Sequence, residues 1–95
     1  MQGFKANEEK YVESAETIKV LAHPVRLGLV NQLITKGPSN VTSLYEEFEL
    51  PQSTISQHLA KLRSGNIIKG TRKGLEIYYE VVDDKVRDLV QMIVH

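Results

Sequence analysis

The chain has 95 residues and a mass of 10.8 kDa, room for one small domain whose core alone is thin, so oligomerisation is expected to supplement it. With 41% hydrophobic and 25% charged residues it is an ordinary globular mixture, which excludes a disordered chain, and the absence of cysteine excludes thiol nucleophiles, zinc ribbons and thiolate metal sensing. Twelve basic side chains balance twelve acidic ones, and no apolar run approaches the roughly 20 residues of a membrane span or forms a signal peptide, so a soluble cytoplasmic protein is expected.

Residues 1–7 are expected to fray, leaving 8–95 as a single domain. From Glu8 to Ala22 the apolar positions Val12, Ala15, Ile18, Leu21 and Ala22 recur at helical spacing. His23-Pro24 breaks this helix and opens a second, because proline is well placed in a first turn. Val25, Leu29, Val30, Leu33 and Ile34 carry its apolar stripe, and Lys36-Gly37-Pro38 stops it. A short third helix follows, with Thr42 or Ser43 as cap and Leu44, Tyr45 and Phe48 as its buried side. Only Glu49, Leu50 and Pro51 separate it from the next helical pattern, Gln52 to Ser64, and two helices joined by so short a turn form a helix-turn-helix.

Beyond Ser64-Gly65-Asn66 the period changes from helical to alternating. Leu75, Ile77, Tyr79 and Val81 fall on one strand face and Glu76, Tyr78 and Glu80 on the other. A partner strand runs from about Ile67 to Arg72, with Lys73-Gly74 at the hairpin tip. From Asp83 the pattern is helical again, with Val86, Leu89, Val90 and Ile93 apolar. The expected fold is mainly α with a small β component: four helices, a hairpin and a final helix. The stripes Val12, Ala15 and Ile18 on the first helix and Val86, Leu89, Val90 and Ile93 on the last exceed what so small a chain can cover, so they are expected to meet in a homodimer.

Charge is unevenly distributed. Residues 50–75 hold five cations (Lys61, Arg63, Lys69, Arg72 and Lys73), with His58, and no Asp or Glu. On a wheel of residues 52–64, Ile55, Leu59 and Leu62 form the core stripe, and the opposite arc collects Ser53, Ser56, Gln57, Ala60, Lys61 and Ser64. Short or flexible groups that both donate and accept, without a negative charge, suit the base edges of a DNA major groove. A basic hairpin one element after such a helix is the wing of a winged helix-turn-helix, its cations placed for phosphates or an adjacent minor groove.

The runs LAHPVRLGLV (21–30), LPQSTISQHLAKLR (50–63) and GTRKGLEIYYEV (70–81) resemble the ArsR/SmtB winged-helix repressors, over roughly residues 12–93, and are most similar to members that lack cysteine. The resemblance implies a homodimer through the terminal helices and a repressor of an imperfect palindrome. It places base reading on Gln52, Ser53, Ser56 and Gln57, with His58 adjacent, and the wing contacts on Arg72 and Lys73. Backbone phosphates are then expected to meet His58, Lys61, Arg63, Lys69, Arg72 and Lys73.

Some family members bind zinc across their last helices. Here the matching stretch is Asp83-Asp84-Lys85, ending at His95, with lysine where a histidine ligand is needed, so no metal or other cofactor is expected. His23 reads as a structural or capping residue. No nucleophile–base constellation or phosphate-binding loop points to an enzyme. Two alternatives stay open: a derepressor triggered by a metal or small molecule at an unrecognised site, and a winged-helix module whose basic face docks an acidic protein.

Overall fold

In the computed structural model, which describes residues 3–95, five helices accompany a small three-stranded antiparallel sheet. Helices α1 (Phe4–Leu21), α2 (Pro24–Lys36), α3 (Val41–Phe48) and α4 (Gln52–Ser64) precede the hairpin, and α5 (Asp84–Val94) closes the chain. The strands are β1 (Ser39–Asn40), β2 (Ile68–Lys73) and β3 (Glu76–Val81), in the order β1-β3-β2. The winged helix-turn-helix order is as expected, with β1 added. That strand pairs Ser39 with Tyr79 and Asn40 with Tyr78, and two residues are too few to show an alternating pattern in the sequence.

Local chemistry sets the boundaries. α1 starts at Phe4, not Glu8, where the Phe4 ring stacks on Tyr11 at 5.6 Å and Asn7 Nδ2 donates to Gly3 O. Of the seven residues expected to fray, Phe4 to Asn7 are therefore helical, and the first two lie outside the described residues. At α2, Pro24 occupies the first turn and His23 Nδ1 accepts from the Val25 amide at 3.2 Å. α3 is capped by Asn40, whose Oδ1 accepts from Ser43 N at 2.8 Å, and not by Thr42 or Ser43; the Ser43 hydroxyl instead donates to Asn40 O. Glu49 takes the left-handed conformation at the end of α3 (φ 54°), and Pro51 is the residue before α4 (φ −58°, ψ 146°).

α2 runs through the middle, burying Leu29, Val30 and Leu33 against α4, α5 and β3. Leu44, Ile55, Leu59 and Leu62 add the helix-turn-helix side of the core, and Ile67, Ile68, Tyr79 and Val81 the base of the hairpin. The hairpin tip lies beyond that core. Leu75 is 97% exposed and Ile77 is also exposed, so the expected apolar face of β3 holds only for Tyr79 and Val81. Lys73 pairs with Glu76, which makes Gly74-Leu75 the two turn residues, and Gly74 has φ +66°. Glycine at the first central position is the pattern of a type II′ hairpin, whose twist matches the flanking strands.

Gly70 has a separate reason to lack a side chain. A Cβ there would stand 2.8 Å from Ile77 Cγ2 and 3.0 Å from Tyr79 Cε1, one of them a branched methyl and the other the edge of a ring. Gly70→Ala is therefore expected to lower stability by about 1–2 kcal/mol, read as a reduced urea midpoint with unchanged slope. A midpoint equal to wild type would mean that the hairpin yields freely.

The radius of gyration is 14.7 Å, against about 12 Å for a compact domain of this length. α1 accounts for the excess: of its eighteen residues only Leu21 is buried.

Candidate nucleic-acid interface

α4 presents two faces. Ile55, Leu59 and Leu62 are fully buried, while Gln52, Ser53, Ser56, Gln57, Ala60 and Lys61 are exposed. Among the described residues none of the Gln52, Ser53, Ser56 and Gln57 side chains makes an intrachain hydrogen bond, so their donors and acceptors are open outward; Ser64, by contrast, donates to Ala60 O. Pro51 offers no side-chain cap, and although the Thr54 amide donates to Pro51 O at 3.1 Å, the amides of Gln52 and Ser53 stay open, a setting that favours an anion. Lys61 and Arg63 lie exposed in the last turn.

The hairpin adds cations beside this helix. Arg72 and Lys73 are exposed; the Arg72 guanidinium donates through Nε to Gly74 O at 3.2 Å, and Lys73 Nζ lies 5.5 Å from the centre of the Tyr78 ring. Both remain on the outer surface of the tip. Lys69, expected to meet a backbone phosphate, stands opposite Glu80 across the strands, with its Nζ 3.4 Å from Oε1.

His58 also departs from the expected set. Its ring is half-buried between α4 and the start of α2, where Nδ1 accepts from Arg26 Nε at 3.3 Å and the ring centre is 4.5 Å from that of His23. It is a packing residue at the helix junction more than a phosphate contact. Burial holds its pKa below the usual 6.5, and His23 and Arg26 lower it further. The unfolded chain then binds a proton more readily than the folded one. Stability from the neutral ring is complete above about pH 6.5 and is lost as pH falls through the depressed folded-state pKa. Urea midpoints recorded across this range are expected to fall more steeply for wild type than for His58→Gln. Parallel curves would refute that linkage.

The residues assigned to a dimer divide. Val86 and Val90 are fully buried in the protomer's own core, packed toward α2, and cannot form an interface. Leu89 is partly buried against the same core. Val12, Ala15 and Ile18 are exposed along α1 (Ile18 at 56%), and Ile93 at 59%. Sequence reasoning missed Tyr11, Met92 and Val94, which are exposed beside them. Met92-Ile93-Val94 is a run of three apolar residues that no single helical stripe absorbs, and that run was the available signal. Between α1 and α5 lies an open groove of about 310 Å³, lined by Ser14, Thr17, Ile18 and Leu89 among others.

The acidic stretch at α5 serves the helix itself. Asp83 Oδ1 accepts from the amides of Lys85 and Val86 as its N-cap, Asp84 lies exposed in the first turn, and His95 Nε2 is 2.9 Å from Asn31 Oδ1 on α2. Among the described residues no three His, Asp or Glu side chains gather in a way that could hold a metal ion.

The profile of the bacterial regulatory proteins of the arsR family matches residues 23–69, which span α2, the helix-turn-helix and the start of the wing. The transcriptional repressor PagR of Bacillus anthracis is 44% identical over 81 residues, covering 85% of this chain and 81% of PagR. The chain belongs to the arsR family. As an arsR-family protein it also matches its relatives in three dimensions: the crystal structure of PagR aligns with a TM-score of 0.84 at 42% identity, over 90% of this chain and 98% of PagR. The homodimeric winged helix-turn-helix DNA-binding domain Mb0332 of Mycobacterium bovis shares the fold at 23% identity, with a TM-score of 0.81 over 99% of this chain and 85% of that domain. Within the family profile fall Gln52, Ser53, Ser56, Gln57, His58, Lys61, Arg63 and Lys69, whereas Arg72 and Lys73 lie just beyond it.

Proposed function

We propose that this arsR-family chain is a cytoplasmic, homodimeric transcriptional repressor that reads an imperfect palindrome in double-stranded DNA. The observation that carries the reading is the outer face of α4, where Gln52, Ser53, Ser56 and Gln57 are exposed, unbonded and without a neighbouring acid on the helix. That face enters the major groove and discriminates base edges. Lys61, Arg63, Arg72 and Lys73 attract and orient the phosphates on either side, with Lys69 joining only when it leaves Glu80. Its action is binding, with no chemical step.

A second copy covers the exposed apolar residues of α1 and the last turn of α5, Val12, Ala15, Ile18 and Ile93 with Tyr11, Met92 and Val94 beside them. A helix of eighteen residues with one buried side chain is not stable by packing within its own protomer, which supports a partner helix in the α1–α5 groove. A two-fold dimer then presents its two α4 helices to half-sites about one turn of DNA apart, near 34 Å.

The test is selection of bound fragments from the source genome by the purified protein at moderate salt, with Ser56→Ala/Gln57→Ala beside it. A shared palindrome recovered by wild type and not by the double variant is the expected result. Equal, sequence-blind recovery by both would overturn the reading.

A further inference from the structure

The junction where α1, α2 and α4 meet is built from three nitrogen-rich side chains and no carboxylate. Arg26 reaches two ways: one guanidinium nitrogen donates to Val20 O at the end of α1 (3.1 Å), and Nε donates to His58 Nδ1 on α4 (3.3 Å). His23 begins α2 and also uses its Nδ1 as an acceptor, from the Val25 amide at 3.2 Å. The two imidazoles are in contact, with ring centres 4.5 Å apart at 48°. The bond from Arg26 requires a lone pair on His58 Nδ1, so that ring carries its proton on Nε2 and is neutral.

We propose that His23 and Arg26 position the recognition helix through His58, and that this arrangement holds only while the His58 ring is neutral. The inference rests on the DNA-reading role of α4 given above. His58 directly follows Ser56 and Gln57, so whatever fixes its ring also fixes the pitch of the face that reads bases. A proton on His58 Nδ1 removes the acceptor that Arg26 uses and sets a second cation against the guanidinium.

Among the described residues, the charged or titratable groups that act on His58 are His23 and Arg26, and both oppose its protonation. The groups facing His58 from the α1–α2 side are His23 and Arg26, Lys61 and Arg63 on its own helix are exposed, and the ion pairs among the described residues, Lys5–Glu8 and Lys69–Glu80, lie elsewhere. The depressed pKa of His58 agrees with that placement. Relief comes by rotating α4 away from α2, which degrades base recognition while leaving the cations that attract phosphate in place. The device therefore makes specific binding acid-sensitive and non-specific binding acid-tolerant.

Two readouts test this. In the free protein, amide shifts of α4 between Ser53 and Leu62 are followed from about pH 8 to pH 5 together with the His58 ring. They are expected to move with the ring's own titration, at a midpoint below 6.5, and to stay still in His58→Gln, which keeps an acceptor and cannot titrate. In binding, affinity of the dimer, with its two His58 rings, for the fragment recovered in the selection is expected to fall by up to about 100-fold per pH unit below that midpoint, while affinity for a random duplex of equal length holds or rises. His58→Gln flattens the first curve. Arg26→Lys, which keeps the charge without the two-way donor, lowers affinity for the selected fragment at neutral pH and spares the random duplex. An α4 that does not respond to the ring, or an equal acid slope in wild type and His58→Gln, overturns the proposal. Should no fragment be enriched, the repressor reading fails, and the amide titration of the wild-type protein still decides the positioning role.

Discussion

Removing both Ser56 and Gln57 side chains to alanine is expected to weaken binding to the selected operator by about 2–4 kcal/mol, roughly 30- to 700-fold, and binding to random DNA by less than about twofold. Both side chains are exposed and bond to nothing in the protein, so the loss is of base contacts and not of fold. Exposed substitutions of this kind leave stability within about 0.5 kcal/mol, so an unchanged melting curve accompanies the result. Lys73→Ala supplies the contrast. As a phosphate contact at the wing tip it should weaken both DNAs alike and reduce the slope of log affinity against log salt by about one. Titrations of both variants against both DNAs at two salt concentrations separate the roles, and identical behaviour would show that they were wrongly divided.

Ile93→Asp is expected to give a folded monomer that has lost operator binding. Ile93 is mostly exposed in the protomer, so a carboxylate there leaves the core intact, whereas across a two-fold it places two like charges in an apolar seam. In the proposed dimer a second half-site would be gained intramolecularly, at an effective concentration near the millimolar range; a monomer would forfeit that gain, and its affinity for the selected operator is expected to drop by at least about 100-fold. Sedimentation and circular dichroism at matched concentrations read the two parts. A persistent dimer would exclude the last turn of α5 from the interface. Val86→Asp is the opposite case, because that side chain is buried, and loss of the whole fold is expected.

Much of this architecture is legible in the sequence because the elements are short and sharply bounded. His23-Pro24 and Gly37-Pro38 mark the ends of α2, the alternation of residues 75–81 marks β3, and an acid-free polar arc marks the outer face of α4. What escaped was set by tertiary neighbours. A helical stripe states that Val86, Val90 and Ile93 share a side, but not how far the cover of the core reaches along α5; Val86 and Val90 are buried, whereas Ile93 in the last turn is exposed although His95 lies beside Asn31 of α2. Likewise Leu75 and Ile77 keep the parity of buried residues on a hairpin that extends past its core. His58 lies on the flank of the α4 wheel, between the two faces, and its partners Arg26 and His23 are more than thirty residues away in the chain. Lys69 carries a charge that only the strand register assigns to Glu80.

The short strand β1 has a mechanical consequence. It clamps β3 at Tyr78 and Tyr79 only, and its second residue, Asn40, is also the cap of α3. The middle of the hairpin is thus anchored to the frame that holds the helix-turn-helix, while residues 72–77 project about 10 Å further as an unsupported overhang. Such an overhang is a cantilever with a stiff root and a compliant end. On the proposed DNA-binding reading, such a tip would follow flanks of differing curvature while the root keeps α4 in register, so that tolerance of bent flanking sequence and strictness at the recognised site would coexist in one small chain.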